Sequence, residues 1–336
     1  MPPSSVVIRD IKISPALILA PMSGVTNVAF RRLIKQLNPG ALGLVVTEFV
    51  SVEGLTRDSR RTLEMLDYYE EERPLAMQIF GYDLARMRDG AKLVQDLGAD
   101  IIDINCGCPA PKVVKKGGGC ELMRQPQHLA RILKSVRAAV SIPLTMKMRS
   151  GWDESNLNAL EIGKIAVGEG VEALAVHGRS RAQLYRGSAD WDIVKQLADE
   201  LPIPILGSGD VVDCTSAAER FASGAAGLLI GRGAIFNPLV FSEIQQQLSP
   251  RLPKCPALML EVLERYMLLL QEDFEPRRCV GRVKQLASQM CKGQRWARDL
   301  CRLNAFEEQV AYVRNLRDFF EIQEDSTDLL RAECYK

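Results

Sequence analysis

The stretch Asp100–Gly107 (DIIDINCG) is one of eight short apolar runs that recur along the chain. Near-continuous apolar runs of this length are typical of parallel strands that are buried on both faces. The other seven runs are Leu17–Met22, Leu44–Phe49, Leu75–Gly81, Pro143–Arg149, Ala173–Arg179, Pro204–Asp210 and Gly227–Gly233. Eight such strands are the number that a closed parallel barrel requires.

Amphipathic segments separate the runs, among them Ala85–Leu97, Leu129–Val140 and Ala159–Gly168. Strands that alternate with helices indicate βαβ units. Eight units predict an α/β protein with a (β/α)8 TIM barrel over residues 1–245. A doubly wound open sheet is the competing fold.

The chain after the barrel changes character. Residues 246–257 contain three prolines and are predicted to be a linker. Apolar residues then recur with a spacing near 3.6, which predicts a small helical domain over residues 258–336. Its predicted helices are Leu258–Glu272, Arg277–Lys292 and Ala305–Phe320.

Composition excludes several classes of protein. Hydrophobic residues are 47% and charged residues 25% of the 336 residues, which argues against global disorder. The net charge of +1 excludes a strongly basic tail protein, although a local basic patch can vanish in such a total. No apolar run has the 18 residues that a membrane span needs, and residues 1–5 lack a secretory signal. Nine cysteines, an odd number, are expected to be reduced thiols, and the protein is expected to be cytoplasmic.

Two glycine-rich turns follow the last two predicted strands. In many such barrels a phosphate is held by the loops after strands seven and eight. Gly207–Asp210 (GSGD) and Gly231–Gly233 (GRG) occupy those places. Glycine lets backbone N–H groups approach a phosphate, and Arg232 can pair with it bidentately. The same glycines also suit ordinary tight turns, so the pattern favours a phosphate without requiring one.

Lys147 and His177 lie near the ends of predicted strands five and six. A buried lysine is costly unless it meets a negative group, such as a reduced flavin, a phosphate or a substrate carboxylate. A structural ion pair between Lys147 and Asp103 or Glu48 is the alternative. His177 is one of only two histidines, and a satisfied core histidine remains open beside a functional one.

The segment Asp103–Pro109 (DINCGCP) ends predicted strand four. The remaining cysteines have neither zinc nor iron–sulfur spacing, so no metal is expected. Cys108 is therefore a candidate acid or nucleophile, since an ordinary thiol is mostly protonated at neutral pH. Cys106 fits better as a small buried residue.

A basic segment lies in the predicted helical domain. Its eight Arg and Lys residues face one acid, Asp299, for a net charge of +7: Arg277, Arg278, Arg282, Lys284, Lys292, Arg295, Arg298 and Arg302. A solvated helix face is the usual explanation of a charge run, but the lack of compensating acids favours an RNA backbone footprint. Three lysines just after Cys108 are further phosphate candidates: Lys112, Lys115 and Lys116.

Several motifs occur together and in order. They are Ala20–Asn27 (APMSGVTN), Phe30–Arg31, Met77–Gly81 (MQIFG), Asn105–Pro109 (NCGCP), Lys147–Arg149 (KMR), His177–Arg179 (HGR) and Gly231–Gly233 (GRG). With these motifs, over about residues 15–320, the chain resembles the tRNA-dihydrouridine synthases. Those are FMN-dependent TIM-barrel enzymes with a C-terminal helical RNA-binding domain.

The resemblance implies a set of flavin contacts. The residues that would line the flavin, bond its ring or hold its phosphate are Pro21, Met22, Ser23, Gln78, Lys147, His177, Ser208, Gly209, Asp210, Gly231 and Arg232. Ser208 departs from the asparagine that the family usually has there, which puts that contact in doubt. Cys120 stands where small residues such as Ser or Ala are common, and we expect it to serve packing.

The resemblance also implies a reaction, the reduction of the uracil C5=C6 bond in tRNA. NADPH would reduce FMN, the flavin would give hydride to C6, and Cys108 would protonate C5. Asn105 and Arg149, with Lys147, would bind the uracil, and Arg278 and Arg282 would bind the tRNA of a monomeric enzyme. Two alternatives remain: an FMN barrel that reduces a free pyrimidine or similar small molecule, and an RNA-binding barrel without catalysis.

Overall fold

The structure, a computed structural model, describes residues 5–250, 252 and 255–325, with side chains described as far as residue 320. The chain divides into two compact units. The first contains Gly40–Val211 and Thr215–Gly231 with the segment up to Val28. The second contains Ala29–Pro39, Val212–Cys214 and the segment from Arg232 onward.

Eight parallel strand positions close into a barrel in the first unit. The strands of the described chain are β1 (Val6–Ile8), β2 (Ile11–Ile13), β3 (Leu17–Leu19), β4 (Leu44–Val46), β5 (Val50–Ser51), β6 (Leu75–Phe80), β7 (Ile101–Cys106), β8 (Leu144–Arg149), β9 (Ala173–His177), β10 (Ile205–Ser208) and β11 (Gly227–Ile230). Strands β6 to β11 pair in sequence, β11 pairs with β3, β3 with β4, and β4 with β6. This closure confirms the predicted barrel and rules out the open sheet.

The N-terminal hairpin covers the bottom of the barrel. Strands β1 and β2 pair antiparallel, and Val6, Ile8 and Ile13 share one buried cluster with residues near the starts of the barrel strands. Arg9, in the hairpin turn, donates to Glu172, which directly precedes β9. The opposite end of the barrel, where the strands finish, is thereby left for a site. The hydrophobic pattern did not predict this hairpin.

Helices alternate with the barrel strands and continue after them. The helices of the described chain are α1 (Val28–Leu37), α2 (Val52–Leu55), α3 (Arg60–Leu63), α4 (Leu84–Asp96), α5 (Pro111–Val114), α6 (Pro126–Ala139), α7 (Ala159–Gly168), α8 (Asp192–Glu200), α9 (Cys214–Phe221), α10 (Arg232–Phe236), α11 (Val240–Gln246), α12 (Pro256–Asp273), α13 (Pro276–Met290), α14 (Arg295–Leu300) and α15 (Phe306–Asp325). Short 3-10 turns lie at Glu64–Leu66, Glu70–Glu72 and Gly119–Arg124. Helix α14 was not predicted.

The second unit is helical, and it includes α1 as well as the helices from α10 onward. The Phe30 ring meets the Tyr266 ring edge to face, with centroids 6.2 Å apart. Arg32, two residues further along α1, forms a salt bridge with Glu272 at 2.5 Å. The boundary at residue 245 and the linker 246–257 stay predictions, and residues 251, 253, 254 and 326–336 lie outside the described chain.

Candidate active site

Alternation along the barrel strands brings the predicted site residues to the barrel interior. Side chains on a strand alternate between its two faces. Ile101 belongs to the buried core cluster, so Asp103 and Asn105 on the same strand face the same interior two and four positions later. Register then places Asn105 beside Lys147, and Arg149 beside His177. The apolar floor therefore gives way to polar groups at the carboxyl ends of the strands.

A chain of buried hydrogen bonds crosses three of these strands. The carboxylate of Asp103 accepts from Gln78 Nε2 at 2.5 Å and from Thr145 Oγ1 at 2.6 Å. Gln78 Oε1 in turn accepts from Asn105 Nδ2 at 2.7 Å. Because Asp103 can only accept while it is ionised, it fixes which way the Gln78 amide points, and Gln78 then fixes Asn105. Neither Asp103 nor Thr145 was predicted as a site residue.

Asn105 holds the loop that carries Cys108. Its Oδ1 accepts from the backbone N–H groups of Gly107 at 3.2 Å and Cys108 at 2.9 Å. Cys108 is 8% exposed, and burial raises the pKa of its thiol above the ordinary value. The thiol is consequently protonated throughout the neutral range, as a proton donor must be.

Cys120 lies close to Cys108. Its backbone N–H donates to the Cys108 carbonyl at 3.1 Å, and the residue is fully buried. Burial raises the pKa of the Cys120 thiol to about 12. Such a thiol is inert at neutral pH, which agrees with the packing role expected of it.

Lys147 is a buried cation that forms no salt bridge in the described chain, although the charge of Asp103 favours its protonated form. Within residues 5–250, 252 and 255–325 it has no hydrogen bond, and no carboxylate lies within 4 Å of its Nζ. Burial lowers the pKa of Lys147 to about 8, with the charge of Arg149 adding to the effect. The alternative of an ion pair with Asp103 or Glu48 is therefore not found. An unpaired lysine inside a barrel mouth is suited to a negative ligand.

Arg149 ties together two loops of the barrel mouth. Its Nε donates to the Gly107 carbonyl at 3.1 Å, and its Nη1 donates to the carbonyls of Ser180 at 2.8 Å and Leu184 at 3.0 Å. The side chain is almost fully buried. Its Nη2 has no hydrogen-bond partner among the described residues, so one N–H edge of the guanidinium remains for a ligand.

His177 ends β9 and lies beside Ser208 in the register of β9 with β10. The backbone N–H of Arg179 donates to His177 Nδ1 at 3.2 Å. Gly209 follows with a φ of +122°, a region closed to most side chains, and a Cβ there would lie 3.4 Å from His177 Cε1. The predicted phosphate turn thus approaches the histidine closely.

Asp210, in the same turn, forms a salt bridge with Arg179. Both carboxylate oxygens accept from the Arg179 guanidinium at 2.8 Å, and one also accepts from the Ala189 N–H. Arg179 further donates to the carbonyls of Arg186 and Gly187, so the pair fixes the loop after β9. Sequence reasoning had not assigned this role, because the two partners are 31 residues apart.

The loop after β3 carries Pro21, Met22 and Ser23. Thr26 Oγ1 accepts from the Met22 N–H at 3.0 Å, and the buried carboxylate of Glu48 accepts from the N–H of Gly24. A Cβ on Gly231 would lie 3.4 Å from Met22 Sδ. Gly231 follows β11 directly, and Arg232 begins α10.

Helix α13 in the second unit carries two of the predicted basic residues, Arg278 and Arg282. The guanidinium carbons of Arg278 and Arg282 lie 5.2 Å and 4.1 Å from the centroid of the Phe274 ring. Arg282 also donates to the Arg278 carbonyl at 2.6 Å. Contact with an aromatic face helps to hold an arginine side chain in place.

Two further properties concern only the described residues. No group of three or more His, Cys, Asp or Glu side chains there is arranged to hold a metal ion. No helix within them combines the length and the apolar character that crossing a membrane demands.

Comparison with known proteins gives consistent matches. The family model for dihydrouridine synthases matches residues 18–324. tRNA-dihydrouridine synthase B of Pseudomonas syringae pv. tomato is 42% identical over 266 residues, covering 79% of this chain and 78% of that protein. tRNA-dihydrouridine synthase B of Pseudomonas putida is 36% identical over 320 residues and covers 93% of each.

A solved structure shows the same fold. A 2-naphthoyl-CoA reductase, in complex with 2-naphthoyl-CoA, superposes with a TM-score of 0.56 at 14% identity. The match covers 74% of this chain but only 53% of that protein. At this identity the likeness concerns the fold alone.

Proposed function

Because the chain belongs to the dihydrouridine synthase family, we propose that it is a flavin-dependent oxidoreductase that reduces uridines in tRNA to 5,6-dihydrouridine. The observation that carries the proposal is the barrel mouth itself. It brings a protonated thiol on Cys108, an unpaired buried charge on Lys147 and a histidine, His177, to one end of the barrel.

We propose FMN as the cofactor and NADPH as the reductant. The residues fit a flavin: among the described residues no carboxylate lies within 4 Å of the Lys147 ammonium, and Gly209 takes a φ of +122° in the turn beside His177. Lys147 and His177 would contact the flavin ring, and Gln78 would donate its second amide hydrogen to it. Met22 and its neighbours Pro21 and Ser23 would line it. The turns Ser208–Asp210 and Gly231–Arg232 would hold the phosphate through backbone N–H groups.

When bound and reduced, the flavin supplies a hydride to C6 of the uracil. The Cys108 thiol then gives its proton to C5, so that one hydride and one proton add across the C5=C6 bond. Burial keeps that proton on sulfur until the base arrives. Positive groups near the uracil carbonyls would stabilise the enolate-like charge that develops as hydride is added, and Lys147 and Arg149 Nη2 are our candidates for this role.

Asn105 would act mainly through the loop. Its Oδ1 is occupied by two backbone N–H groups and one Nδ2 hydrogen by Gln78, which leaves one N–H for the base. This residue therefore sets the position of Cys108 and contributes at most one direct contact to the uracil.

Basic side chains would hold the tRNA. A uridine must leave its stack to reach a barrel mouth, so the surrounding RNA needs support. Arg278 and Arg282 on α13 offer two ordered guanidinium groups. Three exposed lysines with no ion pair among the described residues lie on or just after α5: Lys112, Lys115 and Lys116. A free pyrimidine would need no such surface.

We propose a cytoplasmic monomer.

Purified protein incubated with FMN, NADPH and tRNA that lacks dihydrouridine tests this function. We expect a yellow protein whose flavin absorbance is bleached by NADPH and recovers when tRNA is added, with dihydrouridine formed. Reduction of free uridine or uracil but not of tRNA would support the small-molecule reductase instead. A colourless protein that ignores added FMN would remove the flavin from the account.

A further inference from the structure

Two arginines share one tryptophan ring at the rim of the barrel. The guanidinium carbons of Arg124 and Arg181 each lie 4.5 Å from the centroid of the Trp152 ring. The three residues come from three successive loops: Arg124 ends the 3-10 turn after Cys108, Trp152 follows β8, and Arg181 follows β9. All three loops start from the carboxyl ends of strands, where the proposed reaction takes place.

Arg181 lacks a partner for its charge in the described part of the chain. Its side chain has no hydrogen bond and no ion pair there, and its Nε is buried without an acceptor. Arg124 forms a salt bridge with Glu121, with its Nη1 3.3 and 3.4 Å from the two carboxylate oxygens, and its charge contributes to lowering the pKa of Asp153. Both acids therefore face Arg124, and neither bonds Arg181.

The backbone holds this cluster rigidly beside the site. The Arg181 N–H donates to the Gly151 carbonyl and the Ala182 N–H to the Trp152 carbonyl, both at 2.9 Å. Arg149 binds the adjacent Ser180 carbonyl and also the Gly107 carbonyl, so the same arginine anchors the Cys108 loop. The charge of Arg181 also contributes to lowering the pKa of Cys120, whose backbone N–H bonds the Cys108 carbonyl. Arg181 therefore acts electrostatically on the loop of Cys108.

We propose that Arg124 and Arg181, held against Trp152, form a subsite for a backbone phosphate of the RNA next to the nucleotide that is reduced. The inference rests on the proposed function. Each guanidinium carbon lies 4.5 Å from the same ring centroid, so the two are at most about 9 Å apart, and two positive charges share one part of the rim, where an anion is stabilised. A guanidinium presents a planar set of N–H donors that matches phosphate oxygens, and stacking on an indole leaves those edges open.

Phosphate can reach the barrel mouth from the tRNA backbone or from NADPH. The tRNA backbone is favoured because a rim built from three loops surrounds the entry of a flipped nucleotide, whose neighbouring phosphates must cross it. The experiment separates the two sources by measuring tRNA binding and flavin reduction independently.

The test compares Arg181→Gln with Arg220→Gln in the FMN-loaded protein. Arg220, on α9, is the matched control, because it also contacts a tryptophan ring, Trp191, and also has a buried Nε without a partner. Arg181→Gln should weaken tRNA binding about tenfold near 0.1 M salt and reduce the slope of log K against log salt by about one. Its flavin content and its rate of flavin reduction by NADPH should match those of wild type. Arg220→Gln should leave all four quantities unchanged.

Two results would overturn the subsite. One is tRNA affinity and salt slope unchanged in Arg181→Gln, and the other is a slower flavin reduction with normal tRNA binding, which assigns the phosphate to NADPH. Should Arg181→Gln lose flavin, Arg181→Lys decides: a wild-type salt slope supports the phosphate contact, and a reduced slope despite the retained charge means that the arginine only shapes the loop. A wild-type protein that binds tRNA without forming dihydrouridine would defeat the proposed function while leaving this comparison of variants intact.

Discussion

Arginines serve different purposes in the two units. Arg149 at the barrel mouth is 4% exposed and donates to three backbone carbonyls of two loops. Arg278 on α13 is exposed at the surface and lies against an aromatic ring. Under the proposed function, the first kind would set the positions of reacting groups, and the second kind would supply charge to the tRNA.

This difference predicts which substitutions should change the reaction rate strongly and which should change tRNA affinity only modestly. Groups inside the mouth are fixed by directional bonds, so their loss should change the rate of the chemical step. Surface cations act through a screened field, so their loss should change tRNA affinity by a modest and salt-dependent factor.

The largest effect should come from Cys108. Cys108→Ala removes the proton donor and should lower the rate of dihydrouridine formation by about 10²- to 10⁴-fold, the usual contribution of general acid catalysis. Flavin content and flavin reduction by NADPH should stay at wild-type values. Rapid-mixing absorbance and dihydrouridine analysis measure the two half-reactions separately.

Cys120→Ala is the control for that variant, because it removes a second buried thiol close to Cys108. Burial raises the pKa of the Cys120 thiol to about 12, so it is a poor proton donor. It should retain most of the product rate. Equal losses in the two variants would mean that packing, and not proton donation, accounts for the effect at Cys108.

An intermediate effect on stability should come from Lys147. Its pKa in the folded protein is about 8, against an ordinary value of 10.5, so between these pH values the unfolded chain binds more protons and stability rises with pH. In protein stripped of flavin, Lys147→Met should therefore raise the free energy of unfolding below pH 8, by roughly 1–3 kcal/mol. The gain should fade as pH rises towards 10.5, as denaturant titrations would measure.

Lys195→Met is the matched control, because Lys195 is exposed and paired with Asp199. It should show no comparable pH-dependent gain. A stabilisation by Lys147→Met that is the same at pH 7 and at pH 10.5 would contradict the buried, unpaired charge.

The smallest effect should come from α13. Arg278→Ala combined with Arg282→Ala should weaken tRNA binding several-fold and flatten the salt slope by about two, without changing the flavin spectrum. Arg314→Ala is the control, because Arg314 lies in the same unit but is neutralised by Glu264. An unchanged affinity in the double variant at every salt concentration would place the RNA surface elsewhere.

Much of the fold followed from hydrophobic pattern alone. All eight predicted runs contain barrel strands, and α7 has the predicted bounds Ala159–Gly168. Strand ends were harder: β3 stops at Leu19, short of Pro21, which has no N–H to give to a ladder. The run Leu44–Phe49 breaks after Val46, where the Thr47 hydroxyl accepts from the Gln78 N–H in place of a backbone carbonyl.

What the pattern missed depends on pairing between distant segments. The hairpin had a readable signal, since two short runs of β-branched residues, Val6–Ile8 and Ile11–Ile13, flank the two residues Arg9 and Asp10. The Asp103–Gln78–Asn105 chain and the Arg179–Asp210 pair had none, because both depend on strand register that one sequence does not reveal. The site residues could be named from their motifs, whereas the bonds that position them could not.

The central claim is that this barrel reduces uridines in tRNA with Cys108 as the proton donor. The most direct measurement maps dihydrouridine in tRNA from cells that lack the gene, and from the same cells carrying either the wild-type gene or the Cys108→Ala variant. We expect one or more dihydrouridines to disappear on deletion, to return with the wild-type gene and to stay absent with the variant. Unchanged dihydrouridine on deletion would contradict the function, and full restoration by the variant would contradict the role of Cys108.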